Sequence, residues 1–154
     1  MNSPKKLYGV LAAAEMVTWA LLLLGLALKY LFKVTDVATT IFGSIHGFTF
    51  LCYVVTTIMV WINQQWSFGR GVIGLASSII PFATYPFERN TLKAGLLDRP
   101  WRFTDESEEP QGIFEWALAM IIRRPFISAF GILIVLAVVF TLLLMAGPPT
   151  QWFS

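Results

Sequence analysis

Apolar positions run in long unbroken stretches along this chain, separated by short polar ones, with none of the two-residue alternation of a half-buried strand. Residues 7–28, 37–62, 68–85 and 126–146 each approach or exceed the roughly 20 apolar residues that cover about 30 Å of hydrocarbon as a helix. The pattern predicts an all-α polytopic membrane protein with four transmembrane helices. A further apolar stretch, residues 113–122, is too short to cross. It carries Trp116, ends in Arg123-Arg124, and reads as a short interfacial helix before the fourth span.

The polar residues inside these stretches are few and ordered. In the first, Leu11, Glu15, Thr18, Leu22, Gly25 and Lys29 are spaced by fours and threes and share one helix face, so Glu15 points toward a partner helix. An unpaired carboxylate there would cost several kcal/mol, which leaves it either neutral or bonded. In the second, Gly43-x-x-x-Gly47 permits close approach of another backbone, beside a face made by His46, Phe50, Tyr53 and Thr57. Trp61 and Trp66 bracket Asn63-Gln64-Gln65, as an interfacial belt before a tight turn would. The third is the weakest, interrupted by Gly71, Gly74, Ser77, Ser78, Pro81 and Pro86. Pro81 removes a donor and frees the carbonyl of Ser77, so a kink is expected there. Glu88 and Arg89 mark its exit. In the fourth, nearly all apolar, Pro125 suits the first turn and Gly147-Pro148-Pro149 a stop, with Trp152 and Phe153 at the interface beyond.

Composition agrees with the bilayer: the 154 residues are 56% hydrophobic and only 13% charged. A net charge of +2 gives no reason to expect nucleic acid. The basic start, Lys5-Lys6, resembles that of a signal peptide. The run behind it is too long, contains Glu15 and lacks a cleavage site, so it is expected to stay attached as a span. Cys52, the single cysteine, forms no internal disulfide and reads as a small apolar filler. Three units follow: residues 1–90 as a three-span unit, 91–125 as a polar loop with the interfacial helix, and 126–154 as the fourth span and tail. The acidic segment 105–110 has no periodicity and reads as a solvated loop.

Four crossings put Lys5, Lys6 and Arg70 on one side. Lys29, Lys33, Arg89, Lys93, Arg99, Arg102, Arg123 and Arg124 fall on the other, which places both termini outside and the loop 90–125 in the cytoplasm of a cell-membrane protein. Glu15, about 12 Å along the first span, and His46, about 14 Å along the antiparallel second, then fall within about 5 Å of one level. Lys29 with Glu88 and Arg89 would form an ion pair at one membrane face.

Ala14-Glu15, Thr18-Trp19, Leu28-Lys29-Tyr30, His46-Gly47 with Phe50 and Tyr53, Ile80-Pro81-Phe82-Ala83 and Phe87-Glu88-Arg89 together resemble the "HG-motif" integral membrane proteins of Gram-positive bacteria, an uncharacterised family whose domain has no known function. The resemblance covers about residues 7–90 and implies a three-span unit, with the fourth span an extension typical of actinobacterial members. Thr18 stands where that family commonly has serine.

Two readings of the intramembrane polar cluster Glu15, Thr18, His46 and Tyr53 follow. One is a proton relay or polar substrate site, because ionisable groups at membrane depth are functional candidates by default. The plainer one is a set of interhelical hydrogen bonds that fixes packing, each worth about 1 kcal/mol. Gly43, Gly47, Gly71, Gly74 and Pro81 are the candidate packing positions. One histidine, one cysteine and one carboxylate make a poor ligand set, so neither metal nor cofactor is expected. No nucleophile elbow, phosphate loop or paired cysteines appear, and no enzyme is expected. The expected role is an accessory or assembly subunit of a larger respiratory or envelope-building membrane complex, its partners the lipid bilayer and other subunits or itself. The alternative is a small oligomeric, proton-coupled permease using Glu15 and His46.

Overall fold

The computed structural model describes residues 3–146. Among these the regular elements are six helices: α1 Pro4–Tyr30, α2 Val37–Gln64, α3 Phe68–Ser77, α4 Thr84–Lys93, α5 Ile113–Arg123 and α6 Pro125–Ala146. Three of them, α1, α2 and α6, are long and apolar enough to cross a membrane. Two of the long helices, α1 and α6, begin where the chain supplies a start signal. Ser3 accepts from the Lys6 amide ahead of Pro4, and Pro125 opens α6.

The stretch read as a third span is broken in two. At ten residues each, α3 and α4 are about 15 Å long and too short to cross. Pro81 cannot donate to the Ser77 carbonyl, and Pro86 cannot donate to that of Phe82. Two helical bonds are thereby lost within six residues. The chain does not kink and continue; it turns back through residues 78–83, with Phe82 at a φ of 64°.

The result is a helical hairpin laid against the α1–α2 pair. Descending α3 packs on α2. Gly71 lies under the Trp61 ring, Gly74 against Thr57 and Phe87, and the Ser77 hydroxyl is 3.1 Å from that of Tyr53. Returning α4 runs beside α1, where the Thr84 hydroxyl donates to the Ala12 carbonyl at 3.0 Å and Glu88 abuts Gly9. The hairpin leaves where it entered, for Trp66 donates to the Leu96 carbonyl at 2.8 Å and Lys5 lies 3.9 Å from Asp98.

The polar loop is therefore at the same end of the bundle as the start of α1, and not opposite it as four crossings would require. It is also more than a solvated loop. Asn63 donates to the Pro100 carbonyl and accepts from the Arg102 amide, while Gln64 does the same with Arg99. The Arg102 guanidinium holds Glu108 and Glu115, each at 2.8 Å. The acidic segment thus wraps a half-buried arginine and ties α5 to the end of α2. From there α6 runs back past α2, reaching Gly47 and Phe48 with Phe140. The end of α6 consequently lies at the opposite end of the bundle from the start of α1. The stop at Gly147 and the placement of Trp152 and Phe153 lie outside the described residues.

Two outcomes are expected. A Cβ at Gly71 would run into the Trp61 ring, so Gly71→Ala should lower stability by about 1–3 kcal/mol, while Gly43→Ala, with only Leu22 at 3.7 Å, should change it little. Thermal unfolding in detergent compares them; equal melting points would mean that α3 does not pack this closely. The second concerns pH. The Arg102 guanidinium and the Gln111 amide hold Glu115 below the usual carboxylate range, and the Phe103 amide and Arg102 do so for Glu108. Stability from a depressed carboxylate is complete above its unfolded pKa, about 4.3, and is lost as pH falls through the lower folded value. The docked loop should hold at about pH 5 and open only below about pH 4, read as the onset of pepsin cleavage within residues 94–112. Arg102→Ala should expose those sites at every pH tested.

Candidate functional site

Antiparallel packing of α1 and α2 sets a constant register that brings Glu15 to His46 and, seven residues away on each helix, Tyr8 to Tyr53. Glu15 is fully buried, with Oε2 3.6 Å from His46 Nδ1. The Thr18 hydroxyl lies between them, 3.1 Å from Nδ1, 3.4 Å from Oε2 and 3.0 Å from the Glu15 carbonyl. With Thr18 donating to Glu15, the tautomer that fits carries its proton on Nδ1 and donates to the Thr18 hydroxyl. Trp19 packs on the imidazole with ring centroids 4.5 Å apart and donates its indole N–H to the Ser78 carbonyl at 3.2 Å. The turn of the α3–α4 hairpin is thereby fastened beside the histidine. Glu15 Oε1 is buried and has no hydrogen-bond partner among the described residues.

Tyr53 belongs to a second tier. Its hydroxyl is 2.7 Å from that of Tyr8 and 3.1 Å from that of Ser77, and Thr57 donates to the Tyr8 hydroxyl at 3.4 Å. The two phenol rings stack at 5.4 Å, and Trp66 meets Tyr8 edge-on. Two turns, about 10 Å, separate this tier from the Glu15 tier along either helix. The sequence reading grouped Tyr53 with His46 and missed Tyr8 and Ser77. The signal was present, since Tyr8 precedes Glu15 by the same seven residues by which Tyr53 follows His46.

The other proposed positions divide. Gly47 faces Phe140, where an added Cβ would lie 3.1 Å from the ring, and Gly71 and Gly74 hold α3 to α2. Gly43 makes only an ordinary contact. Gly25, read merely as part of a stripe, is where the backbones come closest: a Cβ there would sit 3.1 Å from Thr39 Cα, and the Thr39 hydroxyl donates to the Gly25 carbonyl at 2.8 Å. Lys29 and Glu88 do not meet. Lys29 pairs with Asp36 at 3.5 Å at one end of the bundle, while Glu88 and Arg89 are 3.9 Å apart toward the other. Arg89 also donates to the Tyr85 hydroxyl at 2.6 Å.

Among the described residues, two apolar cavities lie between helices. One of about 360 Å³ separates α1 and α2 from α6 and is lined by Leu11, Cys52, Met59 and Leu133. The other, about 580 Å³, lies between α2, α3 and α5 and is lined by Trp61, Phe68, Leu75 and Phe114. Neither includes Glu15, Thr18 or His46.

Against this geometry, residues 5–93 match the model of the family described as a domain of unknown function (DUF3817), over more than half of the chain. The chain belongs to this family. The match spans α1 to α4 and so takes in both polar tiers and the hairpin. A protein of Streptomyces coelicolor named "Putative membrane protein SCO5905" is 40% identical over 91 residues, which are 58% of this chain and 11% of that relative. No solved structure matches. The long apolar helices and the membrane relative together identify a multi-pass membrane protein of a family without known function.

If Glu15 and His46 interact as placed, a double-mutant cycle of Glu15→Gln and His46→Gln should return a coupling of about 0.5–1.5 kcal/mol. Strictly additive losses, read by unfolding in detergent, would show the contact to be energetically empty.

Proposed function

We propose that this protein is a non-enzymatic accessory or assembly subunit of a larger complex in the cell membrane, respiratory or envelope-building. The observation that carries this reading is that the polar seam opens onto no cavity among the described residues. Glu15, Thr18 and His46 contact one another and border neither apolar cavity, and Glu15 Oε1 is their one buried side-chain polar atom without a partner among the described residues. Bonds of this kind set helix register without any turnover. The relative is consistent with it, since the matched stretch is only 11% of that longer polypeptide. In the membrane, α1, α2 and α6 cross and α3–α4 enters and leaves from one side, with α5 at that interface, where it exposes Phe114 and Trp116.

Orientation follows from the corrected ends. Lys5, Lys6, Arg70, Arg89, Lys93, Arg99, Arg102, Arg123 and Arg124 share the loop end, against Lys29 and Lys33 at the other. The excess puts the start of α1 and the loop in the cytoplasm and the end of α6 outside. Alkaline phosphatase fused after Ala146 should be active in a bacterial host, and fused within residues 104–108 inactive; the reverse pattern would overturn the orientation.

Purification in mild detergent from native membranes should recover a heterologous membrane polypeptide at fixed stoichiometry. Recovery of this chain with no other polypeptide across several detergents would remove the subunit reading. The second reading, a proton-coupled permease, is favoured by one atom, the unpartnered Oε1 of Glu15. Reconstituted vesicles would then show a pH-dependent solute flux that Glu15→Gln abolishes without unfolding the protein, and absence of flux with every solute offered would dismiss it.

A further inference from the structure

The cavity of about 580 Å³ between α2, α3 and α5 lies within the range of about 300–1,000 Å³ in which small-molecule sites fall. Its walls are aromatic. Trp61, Trp66, Phe68 and Phe114 contribute rings, and the Trp61 and Phe68 planes meet at 58° with centroids 5.8 Å apart. Both indole N–H groups are already donated, that of Trp61 to the Trp66 carbonyl at 3.0 Å and that of Trp66 to the Leu96 carbonyl at 2.8 Å. These rings therefore offer a guest their faces and no donor, and the face carries the negative part of the ring quadrupole.

Gln65 and Glu115 stand in the wall of this cavity and also in that of a polar pocket of about 350 Å³, completed by Arg102, Glu108, Glu109 and Gln111. One space thus runs from ring faces to carboxylates. The polar lining sets three carboxylates, Glu108, Glu109 and Glu115, against the single Arg102 guanidinium, an excess of two negative charges. Arg99, which donates to Gln65 at 2.7 Å from outside that lining, offsets one of them. Farther along the loop, Asp105 and Glu106 match Arg123 and Arg124 in number. Arg102 is committed to Glu108 and Glu115, each at 2.8 Å, and exposed Glu109 takes no part in those bonds. An anion entering here would meet ring faces and surplus carboxylate, both repulsive, and a neutral apolar chain would leave the carboxylate unanswered. A cation on an apolar body suits both halves, its charge held by carboxylate and ring faces and its body by the walls.

We propose that this joined space binds a monovalent amphiphilic organic cation, an amine or quaternary ammonium group on an aromatic or alkyl body. The body lies among Trp61, Trp66 and Phe68, and the charge is turned toward Glu115 and Glu109. Phe68 and Phe114, exposed by 78% and 72%, are the rings such a guest covers. The cavity between α1, α2 and α6 has no charged residue in its wall, and nothing there selects a guest. The assignment goes beyond the subunit reading and neither needs nor forbids a partner polypeptide.

Matched probes test it on the full chain in an uncharged detergent. Tetraphenylphosphonium and tetraphenylborate share size and shape and differ in the sign of their charge. Radiolabelled tetraphenylphosphonium should bind saturably, and tetraphenylborate should displace it at least about tenfold more weakly than unlabelled phosphonium does. Glu109→Gln should weaken phosphonium binding about two- to fivefold. Phe114→Ala should weaken it about three- to tenfold. Both side chains are exposed, so neither change should lower the melting temperature of the free protein. Ala129→Phe, in the wall of the other cavity, should leave binding as it was. Absence of saturable phosphonium binding would overturn the proposal. So would equal affinity for the two ions, the result expected of a cavity that takes only lipid tails, or an affinity that neither Glu109→Gln nor Phe114→Ala lowers, or one that Ala129→Phe lowers as far as Phe114→Ala does.

Discussion

Inside hydrocarbon, a polar group has only protein to bond. That requirement explains most of what this chain does with its few hydrophilic residues. Thr39 returns its hydroxyl to Gly25, Thr84 to Ala12, and Trp19 its indole to Ser78, each tying a side chain of one element to the backbone of another. Such bonds add little net energy individually. Their weight lies in the cost of misplacing them: a slip of one residue between α1 and α2 would strand Glu15, Thr18 and His46 together. The seam therefore fixes register more sharply than apolar packing could between two helices of nearly uniform oiliness.

Given a fixed α1–α2 pair, the hairpin has few ways to dock. Gly71 and Gly74 let α3 approach Trp61 and Thr57 closely, and Ser77 then reaches the Tyr8–Tyr53 pair. Two prolines make the reversal unavoidable, because each deletes a donor where a continuous helix needs one. The tip must lie beside His46, since Trp19 both covers the imidazole and holds the turn. Placement of the histidine and placement of the turn are thus one structural problem, solved by one tryptophan.

The long helices were legible because hydrophobic run length reports them directly, and the short helix because the apolar run 113–122 between a glycine and two arginines leaves little choice. The broken element was harder to read. Pro81 in isolation predicts a kink, and only its combination with Pro86, five residues on, removes enough bonds to end the helix and reverse the chain. That single difference moved the loop to the other end of the bundle and separated Lys29 from Glu88. In the polar seam, the depth of Glu15 and His46 could be counted from helix rise. The Tyr8 hydroxyl escaped notice because a tyrosine near a helix start reads as an interfacial anchor, and its burial depends on Trp66 folding back over it. The Arg102 knot was invisible for another reason. An acidic segment and an arginine several residues away carry no periodicity, and only the chain's reversal around Asn63 and Gln64 brings them together.

The two polar tiers differ in a way that bears on what each can do. In the tyrosine tier the hydroxyls of Tyr8, Tyr53, Ser77 and Thr57 bond one another or a backbone carbonyl, and none is left over. Such a network has no reason to exchange with anything beyond itself. The Glu15 tier is one bond short, for Oε1 is buried and faces no donor. The permease reading therefore rests on one carboxyl oxygen, placed beside a histidine and beneath the turn of a hairpin, while every other polar atom of the two tiers serves packing equally well.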